Sequence, residues 1–247
     1  MSSARTCFIT GANKGIGLAI ARQLGQQGFT VWLGCRDLLK GEQAAAPLRE
    51  AGIAAHPIVI DVTSDASVQA AVLTLAAQQD RLDVLVNNAG ISLGAFPPAS
   101  EESLDDIRNM FEVNTYGPLR VTQAMLPLLR KAPAARIVMM SSSLGSLEKT
   151  LDLRSDIWQV GAAGYCASKS ALNMFTVKLA KELAGTSIKV NAADPGYTAT
   201  DLNGHSGPRS VEQAAAIAVR LATLDAMGPT GGFFHDGYAD SPARHPW

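Results

Sequence analysis

Little in this sequence points to a special environment. The 247 residues include only three cysteines, an odd number without C-x-x-C spacing, which excludes a disulfide framework and a cysteine zinc cage. Free thiols fit a reducing compartment. No run of about 18 uninterrupted apolar residues occurs, and Met1 to Arg5 lack the basic segment and apolar core of a signal peptide. The expected setting is cytoplasmic, with no membrane partner. Aromatics are scarce at 6%, and 21 Lys and Arg against 22 Asp and Glu leave a net charge of −1. Without a broad basic field the chain has no nucleic-acid partner, so a small molecule is the expected one. His56, His205, His235 and His245 are scattered without ligand spacing, so no metal site is expected. No Ser/Gly linker, charge block or internal repeat divides the chain, which predicts one domain over residues 1–247.

What is present is a rhythm. Short β-rich apolar runs at Thr6–Thr10, Thr30–Leu33, His56–Ile60, Val84–Val86, Arg136–Met140, Ser187–Asn191 and Gly232–Phe234 alternate with longer Ala-rich stretches. Nearly every position in these runs is apolar, as in parallel strands covered by helices on both faces. The fold class predicted is α/β: a Rossmann-type doubly wound parallel sheet in a three-layer αβα sandwich. Ile16, Ile20 and Leu24, and then Leu172, Phe175, Leu179 and Leu183, repeat at helical spacing and are read as core stripes. Ser92–Ser100, Leu144–Gly164 and Tyr197–Arg209 are irregular and follow predicted strands, where α/β sheets bind ligands.

The first strand runs into Thr10-Gly11-Ala12-Asn13-Lys14-Gly15-Ile16-Gly17, then into an amphipathic helix. Three glycines permit a tight turn and close approach of the backbone to a pyrophosphate, and the helix start offers free N–H groups. At the end of the second strand, NAD-preferring sites usually carry a carboxylate for the ribose 2′-hydroxyl. Here Cys35 and Arg36 stand in that place. Arg36 and Lys14 suit a 2′-phosphate, which favours NADP(H) over NAD; Asp37, one residue on, argues slightly the other way.

Tyr165-Cys166-Ala167-Ser168-Lys169 opens a predicted helix that ends near Ala184. The i, i+4 spacing puts Tyr165 and Lys169 on one face. A phenol ordinarily titrates near 10, so acid–base work at neutral pH calls for a neighbouring cation, and Lys169 is placed to supply it.

Taken in order, T-G-x-x-x-G-x-G at 10–17, Asn87-Asn88-Ala89-Gly90, Asn114, Ser141-Ser142-Ser143-Leu144-Gly145, Tyr165-x-x-x-Lys169 and Pro195-Gly196 resemble the classical short-chain dehydrogenase/reductase family. The glycine turn and the Cys35-Arg36-Asp37 stretch resemble its carbonyl-reductase branch. The resemblance implies that Tyr165 is the general acid/base and that Ser142 hydrogen-bonds the carbonyl oxygen. It implies further that Lys169 also holds the nicotinamide ribose and that Asn114 anchors a water in the proton relay. Cofactor contacts would come from Gly11, Asn13, Lys14, Gly15, Ile16 and Gly17 in the turn, and from Arg36, Asp61, Val62, Asn88, Ala89 and Gly90. Tyr165, Lys169, Pro195, Gly196 and Thr198 or Thr200 would complete them.

Tyr165 stands 23 positions after Ser142, longer than the usual step, which implies an insertion within Leu144–Gly164: a substrate flap or a surface decoration. Related insertions cover an oligomerisation face, which leaves monomer and homodimer both open. Leu153, Trp158 and Tyr197 are the expected apolar pocket walls. The function these observations imply is NADPH-dependent interconversion of a carbonyl (aldehyde, ketone or quinone) and an alcohol. The competing reading is an NADP-binding sensor of little activity. Nucleotide-sugar chemistry on the same fold is disfavoured, because such enzymes usually add a substrate domain.

Overall fold

The computed structural model describes residues 4–94, 96–236 and 243–247. Its strands are β1 (Thr6–Thr10), β2 (Thr30–Cys35), β3 (Ala55–Val59), β4 (Val84–Asn87), β5 (Arg136–Met140), β6 (Lys189–Asp194), β7 (Phe233–His235) and β8 (Ala243–Arg244). They form one sheet in the order β3-β2-β1-β4-β5-β6-β7-β8. Every pairing is parallel except β7 with β8. The order reverses between β1 and β4, and that switch point opens a crevice at the carboxyl ends of the strands.

Alternate residues of each strand serve opposite faces, and both faces are dry. Cys7, Ile9, Val31, Leu33, Val84 and Val86 join one core, with helices α1 (Gly15–Gln26), α2 (Leu38–Glu50) and α8 (Val211–Ala222). Phe8, Trp32, Leu85, Ile137 and Met139 join the other, with α3 (Asp65–Ala76), α5 (Gly117–Leu129) and α7 (Ala163–Glu182). Two dry faces explain the unbroken apolar runs. The remaining α-helices are α4 (Leu104–Phe111), packed on α7, and the short α6 (Leu147–Leu151).

Several element ends shift by one or two residues from the sequence-based expectation, and three further details differ. The sixth strand runs to Asp194, because Ala192 and Ala193, weak strand formers alone, are paired on both sides by β5 and β7. A two-residue antiparallel strand, β8, closes the edge. Phe175 is only half-buried: with Leu119, Leu126 and Leu179 it lines a groove of about 300 Å³ between α5 and α7.

Candidate active site

The glycine turn is built to approach an anion. Gly11 has φ +65, in the left-handed region that glycine enters freely. A side chain at Gly17 would stand 2.5 Å from the Gly11 carbonyl and from the Asn88 amide, so only glycine lets α1 start this close to the turn. No side chain caps α1, which leaves its first N–H groups to a ligand. The residues present therefore fit a dinucleotide pyrophosphate.

Asn88 locks the turn to the end of β4. Its side-chain amide donates to the carbonyls of Thr10 (2.9 Å) and Gly11 (3.1 Å), while its own N–H and that of Ala89 donate to the Thr10 hydroxyl. Two residues on, a Cβ at Gly90 would lie 3.3 Å from Asn114 Oδ1 and 3.6 Å from Lys169 Nζ. The opening glycines, the β4 turn and the long helix thus meet in one crevice.

Asn114 lies in a π-helical turn, Glu112–Tyr116, between α4 and α5 and is fully buried. Its amide donates to the Ile91 carbonyl (2.8 Å) and the Ser168 hydroxyl (3.1 Å), and its Oδ1 accepts from the Ile91 N–H (2.8 Å). Both amide hydrogens are engaged, so a water held by this residue has to use an acceptor atom.

Lys169 is buried, and its Nζ donates to the Met140 carbonyl at 2.8 Å. Burial pushes its ammonium down to about 8. The ammonium lies 5.6 Å from the centre of the Tyr165 ring. The Tyr165 phenol is raised well above its ordinary value, first by burial and then by the charge of Asp194; a hydrogen bond with Ser142 works against the rise. The ammonium expected to favour the phenolate lies on the ring side of Tyr165 and is bonded to a main-chain carbonyl. The unliganded site therefore holds a neutral phenol.

Ser142 ends the extended segment after β5; its hydroxyl also accepts from the Leu144 N–H. Asp194, at the end of β6, accepts from the Gly196 N–H at 3.0 Å. Thr198 is buried and its hydroxyl donates to the Gly196 carbonyl (3.0 Å), whereas Thr200 caps the turn Asp201–Asn203.

At the other end of the crevice Arg36 is exposed and near enough to Asp61 to lower that carboxyl, behind the larger effect of hydrogen bonds from Thr63. Asp37 is occupied elsewhere: it caps α2, accepting from the Leu39 and Lys40 N–H groups at 2.9 and 3.2 Å. Val62 is buried against Gly117. Asn13 and Ile16 are half-buried on the turn. Lys14 is paired with Asp201, whose other oxygen bonds His205 Nε2 at 2.8 Å. Leu153, Trp158 and Tyr197 expose 72%, 40% and 58% of their surfaces, so ordinary core packing does not account for them. No group of three His, Cys, Asp or Glu that could hold a metal occurs among the described residues.

Sequence reasoning missed two supports of the site. Ser168 joins Asn114 to the start of α7, accepting from its amide and donating to the Tyr165 carbonyl at 2.7 Å. Glu102 accepts from the Gly164 N–H at 2.9 Å. The second had a local signal: Ala162, at the N-cap of α7, carries no side chain able to cap, so a cap from elsewhere was to be sought.

Together the switch-point crevice and its phenol–ammonium pair define an oxidoreductase of the dinucleotide-binding class. Residues 5–210 match the short chain dehydrogenase family, and the chain belongs to it. It is 33% identical to (-)-isopiperitenone reductase of Mentha piperita over 302 aligned positions, covering 93% of this chain and 96% of that protein. Among solved structures, NADPH-bound carbonyl reductase from chicken fatty liver is 31% identical with TM-score 0.81, covering 94% of this chain and 96% of that one. A 3-oxoacyl-(acyl-carrier protein) reductase with bound NAD from Brucella melitensis is 30% identical with TM-score 0.81, covering 94% and 89%. The chain is thus a short-chain oxidoreductase acting on carbonyl or alcohol substrates with a nicotinamide cofactor. No helix among the described residues is long and apolar enough to cross a membrane.

Proposed function

We propose that the chain is a carbonyl reductase that uses NADPH to reduce an aldehyde, ketone or quinone to an alcohol. The observation that carries this reading is the continuous line of contacts from Gly11 through Asn88 and Gly90 to Lys169, Tyr165 and Ser142. When bound, the reduced nicotinamide supplies hydride to the carbonyl carbon. Tyr165, protonated at neutral pH, gives its phenolic proton to the carbonyl oxygen. The Ser142 hydroxyl donates to the same oxygen and stabilises the developing negative charge. Lys169 holds the nicotinamide ribose and, as an ammonium, compensates the phenolate left behind. Asn114 fixes Ile91 and, through Ser168, the first turn of α7.

The glycine turn with Asn13 and Ile16 holds the pyrophosphate side, Asp61 and Val62 the adenine, and Ala89, Gly90, Pro195, Gly196 and Thr198 or Thr200 the nicotinamide side. Arg36, with Lys14 once it leaves Asp201, meets the 2′-phosphate. Two features support this preference for NADPH over NADH. The carboxylate after Arg36 is committed to capping α2, and the chicken liver relative is itself an NADPH-bound carbonyl reductase. We place the protein in the cytoplasm as a monomer or a homodimer; light scattering decides between the two. The test of function is a screen of aldehydes, ketones and quinones for NADPH oxidation, run beside Tyr165→Phe. Turnover that this variant retains in full would refute the role of Tyr165.

A further inference from the structure

Asp194 lies between the two segments that frame the reacting end of the crevice. Its carboxylate accepts from Gly196 N–H, on the loop after β6, at 3.0 Å, and the Ser143 N–H, next to Ser142, lies near enough to lower its pKa. A further donor comes from the far end of the chain: His245 Nε2 is 2.8 Å from Asp194 Oδ2. A carboxylate is only an acceptor, so Nε2 carries the proton. Both side chains are 7% exposed. His245 is held in turn by stacking on His235, with ring centres 4.2 Å apart, by Phe233 at 4.8 Å, and by its own N–H to the Phe233 carbonyl at 2.8 Å.

We propose that Asp194 and His245 are positioning residues of the reaction. The carboxylate ties the Ser142 segment to the Pro195–Gly196 loop, and the imidazole from beyond β8 keeps that carboxylate fixed and ionised. The final residues of the chain are thereby part of the catalytic apparatus, although none of them reaches the reacting atoms.

The energetics agree with the geometry. Burial of Asp194 acts to raise its pKa, yet the bonds from His245 and Gly196, with the nearby Ser143 N–H, outweigh it and hold the carboxyl below its ordinary value. The retained charge faces Tyr165 and makes the phenol harder to ionise. The ionisable groups around this centre are His245 beside Asp194, Tyr165 from α7 with Cys166 and Lys169 beside it, and His235 stacked on His245; Lys149 and Asp236 act on His235 in turn. Asp194 is thus a standing negative charge beside Tyr165 that holds the phenol in its protonated form.

The proposal rests on Tyr165 as the acid. It is tested with Asp194→Asn, His245→Phe, which keeps a ring but no donor, and His245→Gln, which keeps a donor. Readouts are kcat and KM with the best carbonyl from the screen, NADPH affinity by fluorescence, thermal midpoint, and the pH profile of reduction. His245→Phe should lower kcat roughly tenfold or more at fixed cofactor affinity, since small misplacements of reacting groups cost this much; His245→Gln should recover most of that loss. In Asp194→Asn the alkaline limb that reports Tyr165, read in kcat, should move to lower pH, because a charge opposing phenol ionisation is gone. A purely structural role would lower the thermal midpoint and leave the limb in place, and that result overturns the proposal. Wild-type kinetics in folded His245→Phe overturn it as well. Should Asp194→Asn not fold, the two His245 variants decide alone. An active Tyr165→Phe would instead refute the acid assignment, which separates the two failures.

Discussion

Lys169 donates to the carbonyl of Met140 at 2.8 Å, inside the protein and at the end of the strand that leads to Ser142. A buried ammonium is costly without a paired anion. Its pKa falls from 10.5 to about 8, so between those values the unfolded chain binds more protons than the folded one. Stability should therefore rise with pH across that window, and at neutral pH the charge weakens the unliganded fold. Lys169→Met should stabilise the unliganded protein at pH 7 by about 1–2 kcal/mol, after allowance for the orphaned Met140 carbonyl. It should also lose the gain above pH 8 and the activity with it. Urea unfolding at both pH values checks this; a variant less stable at pH 7 contradicts it.

The same ionisation should appear in the kinetics. Because kcat/KM for NADPH reports the free protein, it should decline above about pH 8 as Lys169 loses its proton. The neutral phenol of Tyr165 predicts no earlier loss. A plateau through pH 9.5 would assign the ammonium no part in the reaction.

Tyr165→Phe removes the proposed proton donor and keeps the ring beneath Lys169. We expect kcat to fall by about two to four orders of magnitude, and Ser142→Ala to cost about two to three. NADPH affinity, measured by fluorescence, should hold in both. Equal losses of affinity and rate would mean that the crevice, rather than the chemistry, had been damaged.

Arg36→Ala should weaken NADPH about ten- to a hundredfold and NADH hardly at all, the scale of one or two charge-assisted bonds to phosphate. Asp201→Asn should act in the opposite sense, tightening NADPH by less than about tenfold, because the Lys14–Asp201 pair it breaks is exposed and weak. Calorimetric titration with both cofactors separates these outcomes.

Gly145 packs on α7 so closely that an added Cβ would stand 2.9 Å from the Lys169 carbonyl carbon and from its Cβ. Backbone cannot yield as a flexible side chain can. Gly145→Ala should cost about 1–3 kcal/mol of stability and lower kcat by displacing the helix that carries Tyr165 and Lys169. An unchanged thermal midpoint with full activity would mean that this helix can shift without penalty.

Much of the site was legible because its signals are local. Tyr165 and Lys169 share a face by helical spacing alone, and the turn at Gly11 needs only its own residues to be recognised. The sixth strand was read short because Ala192 to Asp194 carry no strand preference of their own; the pairing with β5 and β7 draws them in. The surroundings of Lys169 were not legible, since spacing gives adjacency but neither burial nor the Met140 carbonyl that receives the ammonium.

The sequence by itself determined the doubly wound class, the two apolar faces of the sheet and the composition of the crevice, since periodicity and turn chemistry act over a few residues. Only the tertiary structure decided which distant groups hold that crevice together. Glu102 reaches Gly164 across 62 positions, His245 reaches Asp194 across 51 and Lys14 reaches Asp201 across 187. No short-range pattern encodes such pairs. They exist because the sheet order brings the ends of β1, β4, β5, β6 and β7 side by side, and buried polar groups there must find partners.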